Sequence, residues 1–278
     1  IALGALLAPP DAVAAMAVLN QVNPPYKIRA ILEGESLFND ASSLLIYKLA
    51  ITVYIAGSIK LSNALEPILL VTVGSIAVGW IMAHIAKYQF KFSIDTPMAV
   101  IFQFALTFGV WMIAEHLGLS GVITIVVFGI TLSRYSTLNM PARLRVSSFS
   151  IWEAVIFILN ALAFTLIGLQ VRPIFSRLDS GQIKYFITVA LITLAVVIVV
   201  RLIWVMAYVT WMSKTKSSNQ IKESNKEVAK SGLVIAWSGM RGIVTLAAAM
   251  ALPDNFPFRD FILLTAFVVV LGTLILQG

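Results

Sequence analysis

The sequence has 278 residues, of which 59% are hydrophobic and only 12% are charged, and its mean hydropathy is +0.93. Soluble domains carry about 25% charged residues, so this composition excludes an ordinary soluble protein and indicates a polytopic membrane protein. The absence of cysteine excludes a disulfide framework and a thiolate metal site. We assign the net charge of +7 to loops at the membrane surface and not to nucleic-acid binding.

Nine apolar segments are predicted to cross the membrane as helices, which makes the protein all-α. They lie at about 1–22, 31–57, 67–87, 96–117, 119–134, 149–171, 183–212, 231–252 and 260–277. The chain begins inside one apolar segment and ends inside another, so we expect it to be a fragment of a longer protein.

Lysine and arginine are distributed unequally between the loops that connect these segments. Loops after odd-numbered segments contain most of them, whereas loops after even-numbered segments contain only Lys60, Arg172, Arg177, Lys184 and Arg259. The basic set is expected to be cytoplasmic, so the first segment runs from the outside to the cytoplasm. The longest loop, 213–230, is predicted to be a solvated connector, with a regulatory or lipid-contacting role as the alternative.

The most polar stretch within a segment runs from Glu33 to Ser43 and contains three carboxylates, one amide and three hydroxyls. A charged side chain at the bilayer centre costs roughly 2.5–3.5 kcal/mol on insertion scales, so this stretch indicates a bound ion or proton. On a helix, Glu35 and Asp40 lie about 140° apart. We therefore expect one of them to bind an ion while a cationic side chain holds the other.

Two segments are predicted to be interrupted at membrane depth. Pro9 and Pro10 remove two helical N–H donors just before Asp11. In the eighth segment, Gly239 and Gly242 flank a short irregular stretch. Irregular backbone is tolerated in a membrane only where it lines a cavity or is buried in protein. A pair of interrupted segments is therefore a pointer to a transporter binding site.

Three basic residues lie inside segments. Lys48 could either have a buried partner or extend its amine to the membrane surface. Arg201 and Arg241 keep their charge when they are buried, so each should face a carboxylate or a water-filled cavity.

The acidic residues near the breaks have the chemistry of an ion site. Asp11 can approach Asp40 from a neighbouring segment, and carboxylates, hydroxyls and free carbonyls are hard oxygen ligands for Na⁺ or Li⁺. A proton can occupy the same oxygens, and competition between the two ions is the basis of exchange. An isolated acid could instead be an interhelical hydrogen-bonding group. The sequence contains no motif for a metalloprotease, a serine hydrolase or a nucleotide-binding enzyme.

The motifs at these positions resemble the cation:proton antiporter 1 family, the sodium/proton exchangers, and its bacterial branch in particular. The resemblance covers the whole chain and rests on Pro9–Ala15, Leu32–Ala41, Phe164–Gln170, Trp237–Gly242 and Gln277–Gly278. It implies a fold of thirteen helices in two inverted repeats, of which this chain would contain the fifth to the thirteenth. Segments one and eight would be the crossed, discontinuous pair.

The resemblance also implies a division into functional parts. Residues 1–57 and 183–278 would form the ion-transporting core, and residues 67–134 would form a scaffold that makes a homodimer. Residues 149–171 would be the helix that links the two.

Carried onto this sequence, the resemblance makes Asp40 the main carboxylate for Na⁺ and for the proton, with Asp11 as the second acidic group at the cation. Asn39 would orient Asp40, and Ser36 would be a candidate ligand. The family has a threonine before the first-break aspartate, and Pro10 stands there in this chain, so a backbone carbonyl or a water would have to replace that hydroxyl.

The resemblance further implies a structural ion pair between Glu35 and Arg241, with Arg201 as a nearby second cation. The implied activity is antiport of Na⁺, with Li⁺ or K⁺ as alternatives, against H⁺ by alternating access across a bacterial inner membrane. In the family resembled, an asparagine directly before the main aspartate goes with electroneutral exchange, so the resemblance implies one-for-one exchange here. The amide of Asn39 has no proton to release, although Asp11 remains as a second acid. No cofactor is required, and the partners are the two ions, the lipid bilayer and a second copy of the chain. A gated cation channel that uses the same oxygens is the alternative.

Overall fold

The computed structural model describes residues 1–19, 24–56, 61–88, 96–139, 142–176, 180–215 and 225–278, and within these ranges the chain forms helices and no strand. The helices are α1 (Ala2–Leu7), α2 (Ala12–Leu19), α3 (Tyr26–Ala56), α4 (Leu61–Ala86), α5 (Thr96–His116), α6 (Gly121–Asn139), α7 (Ala142–Ser176), α8 (Ser180–Thr215), α9 (Asn225–Trp237), α10 (Ile243–Met250) and α11 (Arg259–Gln277). The predicted all-α class is confirmed.

Six stretches in the described ranges are long and apolar enough to cross a membrane, which supports the prediction of a polytopic protein. They are Ala2–Leu19, Leu69–Ala86, Pro97–His116, Leu144–Leu162, Ile183–Met212 and Arg259–Gln277. The predicted fifth segment corresponds to the shorter apolar stretch Gly121–Tyr135. The second and eighth predicted segments are also helical, but neither is a single apolar span. Helix α3 carries many charged side chains, and the eighth segment is divided into α9 and α10.

Several helices extend beyond their predicted apolar limits. Helix α3 begins at Tyr26 and not at residue 31. The predicted segment began later because it was defined by apolar residues, and the first turns of the helix contain Lys27 and Arg29. Helix α7 likewise exceeds the predicted range 149–171 at both ends. Residues 20–22 of the first predicted segment and 216–224 of the predicted loop 213–230 lie outside the described residues.

The chain divides into two compact units. Unit one consists of Ile1–Ile51 and Phe164–Gly278, and unit two consists of Thr52–Ala163. The division falls within α3 and α7, so each of these helices contributes to both units. The functional division into a core at 1–57 and 183–278, a scaffold at 67–134 and a linking helix at 149–171 stays a prediction.

Unit one has its hydrophobic core around α11, which packs against α8 and α10. Leu246, Leu263, Leu264 and Phe267 are among its buried residues. The spans Ala2–Leu19 and Arg259–Gln277 are each 56% buried. Pro9 and Pro10 at the break of the first helix are themselves buried, which is the condition under which irregular backbone is tolerated in a membrane.

Unit two is organised around close packing of α4 with α6 and α5. Gly79 lies directly against the backbone of α6 at Thr124, so a side chain there would hold the helices apart. Ala83, Val110 and Phe128 form the buried cluster beside this contact. Helix α5 ends just before Gly118, whose φ of 71° is readily adopted only by glycine.

Candidate cation site

The first interrupted helix is broken as the two prolines predict. Helix α1 ends at Leu7 and α2 begins at Ala12, with Pro9 and Pro10 between them. Asp11 caps the second half, because its Oδ1 accepts hydrogen bonds from the backbone N–H of Val13 at 2.8 Å and of Ala14 at 3.3 Å. Such a cap satisfies donors that have no partner at the start of a helix.

The second interrupted helix is broken at the predicted glycine-rich stretch. Helix α9 ends at Trp237 and α10 begins at Ile243. The residues between them are buried, including Met240 at 1% exposure and Arg241 at 5%. The backbone N–H of Arg241 donates to the hydroxyl of Thr273 on α11 at 3.0 Å, which holds this irregular stretch against the core of unit one.

The two breaks are bonded to each other. The N–H of Asp11 donates to the carbonyl of Met240 at 2.7 Å. In the other direction, Nη1 of Arg241 donates to the carbonyl of Ala8 at 2.8 Å. Gly242 lies so close to the Asp11 side chain that a Cβ at this position would collide with the carboxyl group. The predicted pairing of the two breaks is therefore present in the structure.

One face of α3 contains Asp40 and lies beside these breaks. Ile28, Leu32, Ser36, Ser43 and Tyr47 are all buried on this helix, and their spacing of four or seven residues places them along one face. Asp40 lies on the same face and is half-buried. The hydroxyl of Ser36 accepts a hydrogen bond from the N–H of Ala12 at 3.2 Å, which fixes the start of α2 one turn from Asp40.

Asp11 and Asp40 lie on neighbouring elements, because the N–H of Ala12, the residue after Asp11, donates to the hydroxyl of Ser36, one turn before Asp40. Among the described residues, no hydrogen-bond donor and no cationic side chain reaches the carboxylate of Asp40. The side chain of Asn39 makes no hydrogen bond with Asp40 in this part of the chain either, so its orienting role stays a prediction. Within the described part of the chain, no cationic side chain therefore neutralises Asp40.

Both intramembrane arginines are engaged elsewhere. Arg201 forms a two-point ion pair with Glu35, at 2.8 Å from Nη1 to Oε1 and 3.1 Å from Nη2 to Oε2. Its Nη2 also donates to the carbonyl of Ile235 at 3.3 Å. The predicted pairing of Glu35 with Arg241 is corrected by this geometry, since Arg201 holds the carboxylate.

Arg241 has a different role because of the prolines. In an unbroken helix, the carbonyl of Ala8 would accept the N–H of Ala12, but that N–H donates to Ser36 instead. A backbone carbonyl at membrane depth without a donor is costly, and the guanidinium of Arg241 supplies the missing donor. The sequence indicates that Arg241 needs a polar partner, but it gives no sign that this partner is a backbone carbonyl.

Two residues beside the site were not predicted from the sequence. The hydroxyl of Tyr47 donates to the carbonyl of Ala248 on α10 at 2.6 Å, and Thr273 holds the second break. Tyr47 could have been found from its position on the face of α3 that carries Ser36 and Asp40. Thr273 lies in a uniformly apolar segment and has no distinguishing pattern in the sequence.

A helical membrane protein in which two interrupted helices meet beside half-buried acids has the architecture of a secondary transporter. The sequence comparisons agree with this class. The chain matches the family described as "Sodium/hydrogen exchanger, transmembrane" over residues 1–278. The chain belongs to this sodium/hydrogen exchanger family, and the resemblance to bacterial sodium/proton antiporters is confirmed.

Individual relatives are bacterial antiporters. The chain is 31% identical to the sodium, potassium, lithium and rubidium/H⁺ antiporter of Bacillus pumilus, over 100% of this chain and 43% of that protein. It is 31% identical to the Na⁺/H⁺ antiporter NhaH of Halobacillus dabanensis, over 99% of this chain and 64% of that protein. It is also 31% identical to the low-affinity Na⁺/H⁺ antiporter NhaS1 of Synechocystis, over 99% of this chain and 50% of that protein.

The chain therefore spans about half the length of the curated relatives that it matches. Family membership and the apolar helices identify it as part of a multi-pass protein of the bacterial inner membrane. These relatives are named as transporters and not as enzymes, which agrees with the absence of enzyme motifs in the sequence.

Proposed function

We propose that the protein to which this chain belongs exchanges Na⁺ for H⁺ by alternating access, with Li⁺ or K⁺ as alternative cations. The observation that carries the proposal is that Asp11 at the first break and Asp40 on α3 belong to neighbouring elements, which the hydrogen bond from the N–H of Ala12 to the hydroxyl of Ser36 joins. Arg201 and Arg241 are meanwhile bonded to Glu35 and to the carbonyl of Ala8. Asp40 would bind the cation or the proton, with Asp11 as the second acid. Ser36 and Asn39 would complete the surroundings of the cation.

Electrostatics explains why such a site would favour exchange over leakage. Two unit charges interact with an energy that grows as the dielectric constant falls, reaching about 4 kcal/mol at 4 Å near a protein surface. Two adjacent carboxylates therefore favour a bound cation or proton over a site that holds neither. If the site turns from one side of the membrane to the other most readily when a cation or proton is bound, each turn carries one ion, and the two ions travel in opposite directions.

The direct test is ion flux in proteoliposomes that contain the full-length protein. A proton gradient should drive uptake of Na⁺, Li⁺ or K⁺, and the preferred cation should give the lowest KM. Because the cation and the proton compete for the same oxygens, the apparent KM for the cation should rise as the pH falls, approaching tenfold per pH unit for one-for-one competition. Cation uptake that does not move protons would contradict the proposal.

Flux measurements together with recordings in a planar bilayer separate antiport from the channel alternative. A carrier should show saturable flux that dissipates an opposing proton gradient ion by ion. A gated channel that uses the same oxygens would instead give unitary current steps in a planar bilayer. The names of the relatives do not favour the channel.

The finer architecture is also part of this proposal. We assign the chain to helices five to thirteen of a thirteen-helix inverted-repeat fold, with α1–α2 and α9–α10 as the crossed pair. Residues 1–57 and 183–278 would move as the ion-carrying core, 67–134 would form the scaffold of a homodimer, and 149–171 would link them. The division of contacts into unit one and unit two supports this grouping.

Exchange is expected to be electroneutral, one Na⁺ for one H⁺. The residue before Asp40 is Asn39, whose amide has no proton to release at physiological pH. With the membrane potential clamped by K⁺ and valinomycin, the initial Na⁺ efflux should not change with voltage at a fixed pH gradient. A clear acceleration by voltage would mean that Asp11 or another acid carries an additional proton.

A further inference from the structure

A small pocket lies beside the candidate site and is not used by the proposed mechanism. It has a volume of about 10 Å³ and lies where α1, α3 and α10 meet. Its polar side chains are those of Ser43, Tyr47 and Thr245, which are 5%, 5% and 2% exposed, respectively. We define these three residues as the hydroxyl pocket. Pro9 of the first break also lines it.

The hydroxyl pocket presents oxygen acceptors. Tyr47 already donates its proton to the carbonyl of Ala248 at 2.6 Å, and Ser43 donates to the carbonyl of Asp40 at 3.2 Å. With these protons committed, the two oxygens keep only lone pairs for an occupant. An occupant that binds to Ser43 and Tyr47 must therefore be a hydrogen-bond donor or a cation, and hydroxyl oxygens are hard ligands of the kind that alkali cations prefer.

The size of the hydroxyl pocket restricts that occupant further. A cavity needs about 10–15 Å³ to hold one water molecule, so a cation with its complete hydration shell does not fit. No charged side chain is among the described residues that line it, so a cation would be held weakly. Weak binding is what a transit position requires, because an ion must leave it as readily as it enters.

The hydroxyl pocket and Asp40 lie at different depths along the axis of α3. Ser43 and Tyr47 lie one and two turns after Asp40 on the same face of α3, so Tyr47 is about 10 Å further along the helix axis. The distribution of lysine and arginine predicts that α3 runs from the cytoplasm outward. The hydroxyl pocket is then on the extracellular side of Asp40, and the bond from Tyr47 to Ala248 joins α3 to α10 there.

We propose that Ser43, Tyr47 and Thr245 form a second, transient site for a partly dehydrated monovalent cation between the outer solution and Asp40. This inference rests on the proposed antiport. Tyr47 is the positioning residue of the site, because its bond to Ala248 holds α3 and α10 at the spacing that sets the size of the pocket. Ser43 and Thr245 supply further oxygen ligands.

The first test is crystallographic and uses Tl⁺, an alkali-cation substitute with a strong anomalous signal. Crystals of the full-length protein soaked in Tl⁺ should show two anomalous peaks, one near Asp40 and one within the hydroxyl pocket. In Asp40→Asn, the first peak should disappear while the second remains. A peak near Asp40 alone, or an ordered water without anomalous signal in the pocket, would overturn this inference and leave the proposed function standing.

The second test is kinetic and compares adjacent hydroxyls. In proteoliposomes, Ser43→Ala combined with Thr245→Val should raise the KM for external cation by about threefold to tenfold, and Tyr47→Phe should act in the same direction. Ser42→Ala is the matched control, because among the described residues that exposed hydroxyl bonds to backbone carbonyls of its own helix alone, and the KM of this variant should stay at the wild-type value.

The outcomes of the kinetic test separate the two proposals. Active wild-type exchange with unchanged KM in both Tyr47→Phe and the double variant would refute the transient site but not the antiport. An inactive wild-type protein would refute the antiport itself. If the double variant does not fold, Tyr47→Phe and the Tl⁺ soak of the wild-type protein still decide the matter.

Discussion

Replacing Asp40 with asparagine is expected to abolish cation/proton exchange, with a loss of at least about a hundredfold in proteoliposome flux, the scale of removing a group that the reaction depends on. Asparagine has nearly the same shape, but it carries neither a charge for the cation nor a site for the transported proton. The fold should survive, because the carboxylate of Asp40 has no hydrogen-bond partner to lose among the described residues.

The Asp40→Asn variant should also unfold at an unchanged or higher temperature. Removing one of two adjacent like charges relieves their repulsion, which offsets any loss of packing. Glu33→Gln is the matched control, since Glu33 is an exposed acid on the same helix, and its exchange rate should stay close to wild type. Near-normal transport by Asp40→Asn would refute the assignment of the site.

The second large effect is expected from the ion pair between Glu35 and Arg201. Breaking one partner of a buried pair costs about 3–5 kcal/mol, and we expect the lower end because Glu35 is 29% exposed in its side chain. Either Glu35→Gln or Arg201→Gln should therefore lower the folded yield and the unfolding temperature in detergent. The double variant should recover part of both losses, because no charge is left unpaired.

Arg241 provides the internal comparison for this experiment. Its guanidinium donates to the carbonyl of Ala8, so Glu35→Gln and Arg241→Gln should be much closer to additive than Glu35→Gln and Arg201→Gln. The coupling energy from the two double-mutant cycles measures this difference. A larger coupling of Glu35 to Arg241 than to Arg201 would contradict the pairing seen in the structure.

Composition and local chemistry were sufficient to predict the helices and the two breaks. An apolar run of membrane length has few alternatives to a helix, and two adjacent prolines or two nearby glycines act on the backbone at their own positions. The face of α3 could be predicted for the same reason, since helical periodicity relates Ser36, Asp40 and Ser43 without knowledge of any other segment.

Pairing between distant segments could not be predicted from these residues alone. The sequence shows that Glu35, Arg201 and Arg241 all need partners, but not which arginine reaches which acceptor. That choice depends on the packing of α8 against α9 and on the carbonyl of Ala8, which becomes available only because the first helix is broken. A sequence does not show which backbone carbonyls lack a donor, so the bond from Arg241 to the carbonyl of Ala8 was not foreseen. The predicted pairing of Glu35 with Arg241 was wrong for this reason.

The bond from the N–H of Asp11 to the carbonyl of Met240 has a consequence for how this family can diversify. Both atoms belong to the main chain, so the junction of the two breaks does not depend on which side chain stands at position 11, proline excepted. An apolar side chain at position 11 would lose the cap on α2 but would keep the main-chain bond that joins the two breaks. Gly242 leaves the space that the side chain at position 11 occupies, so position 242 tolerates no larger residue.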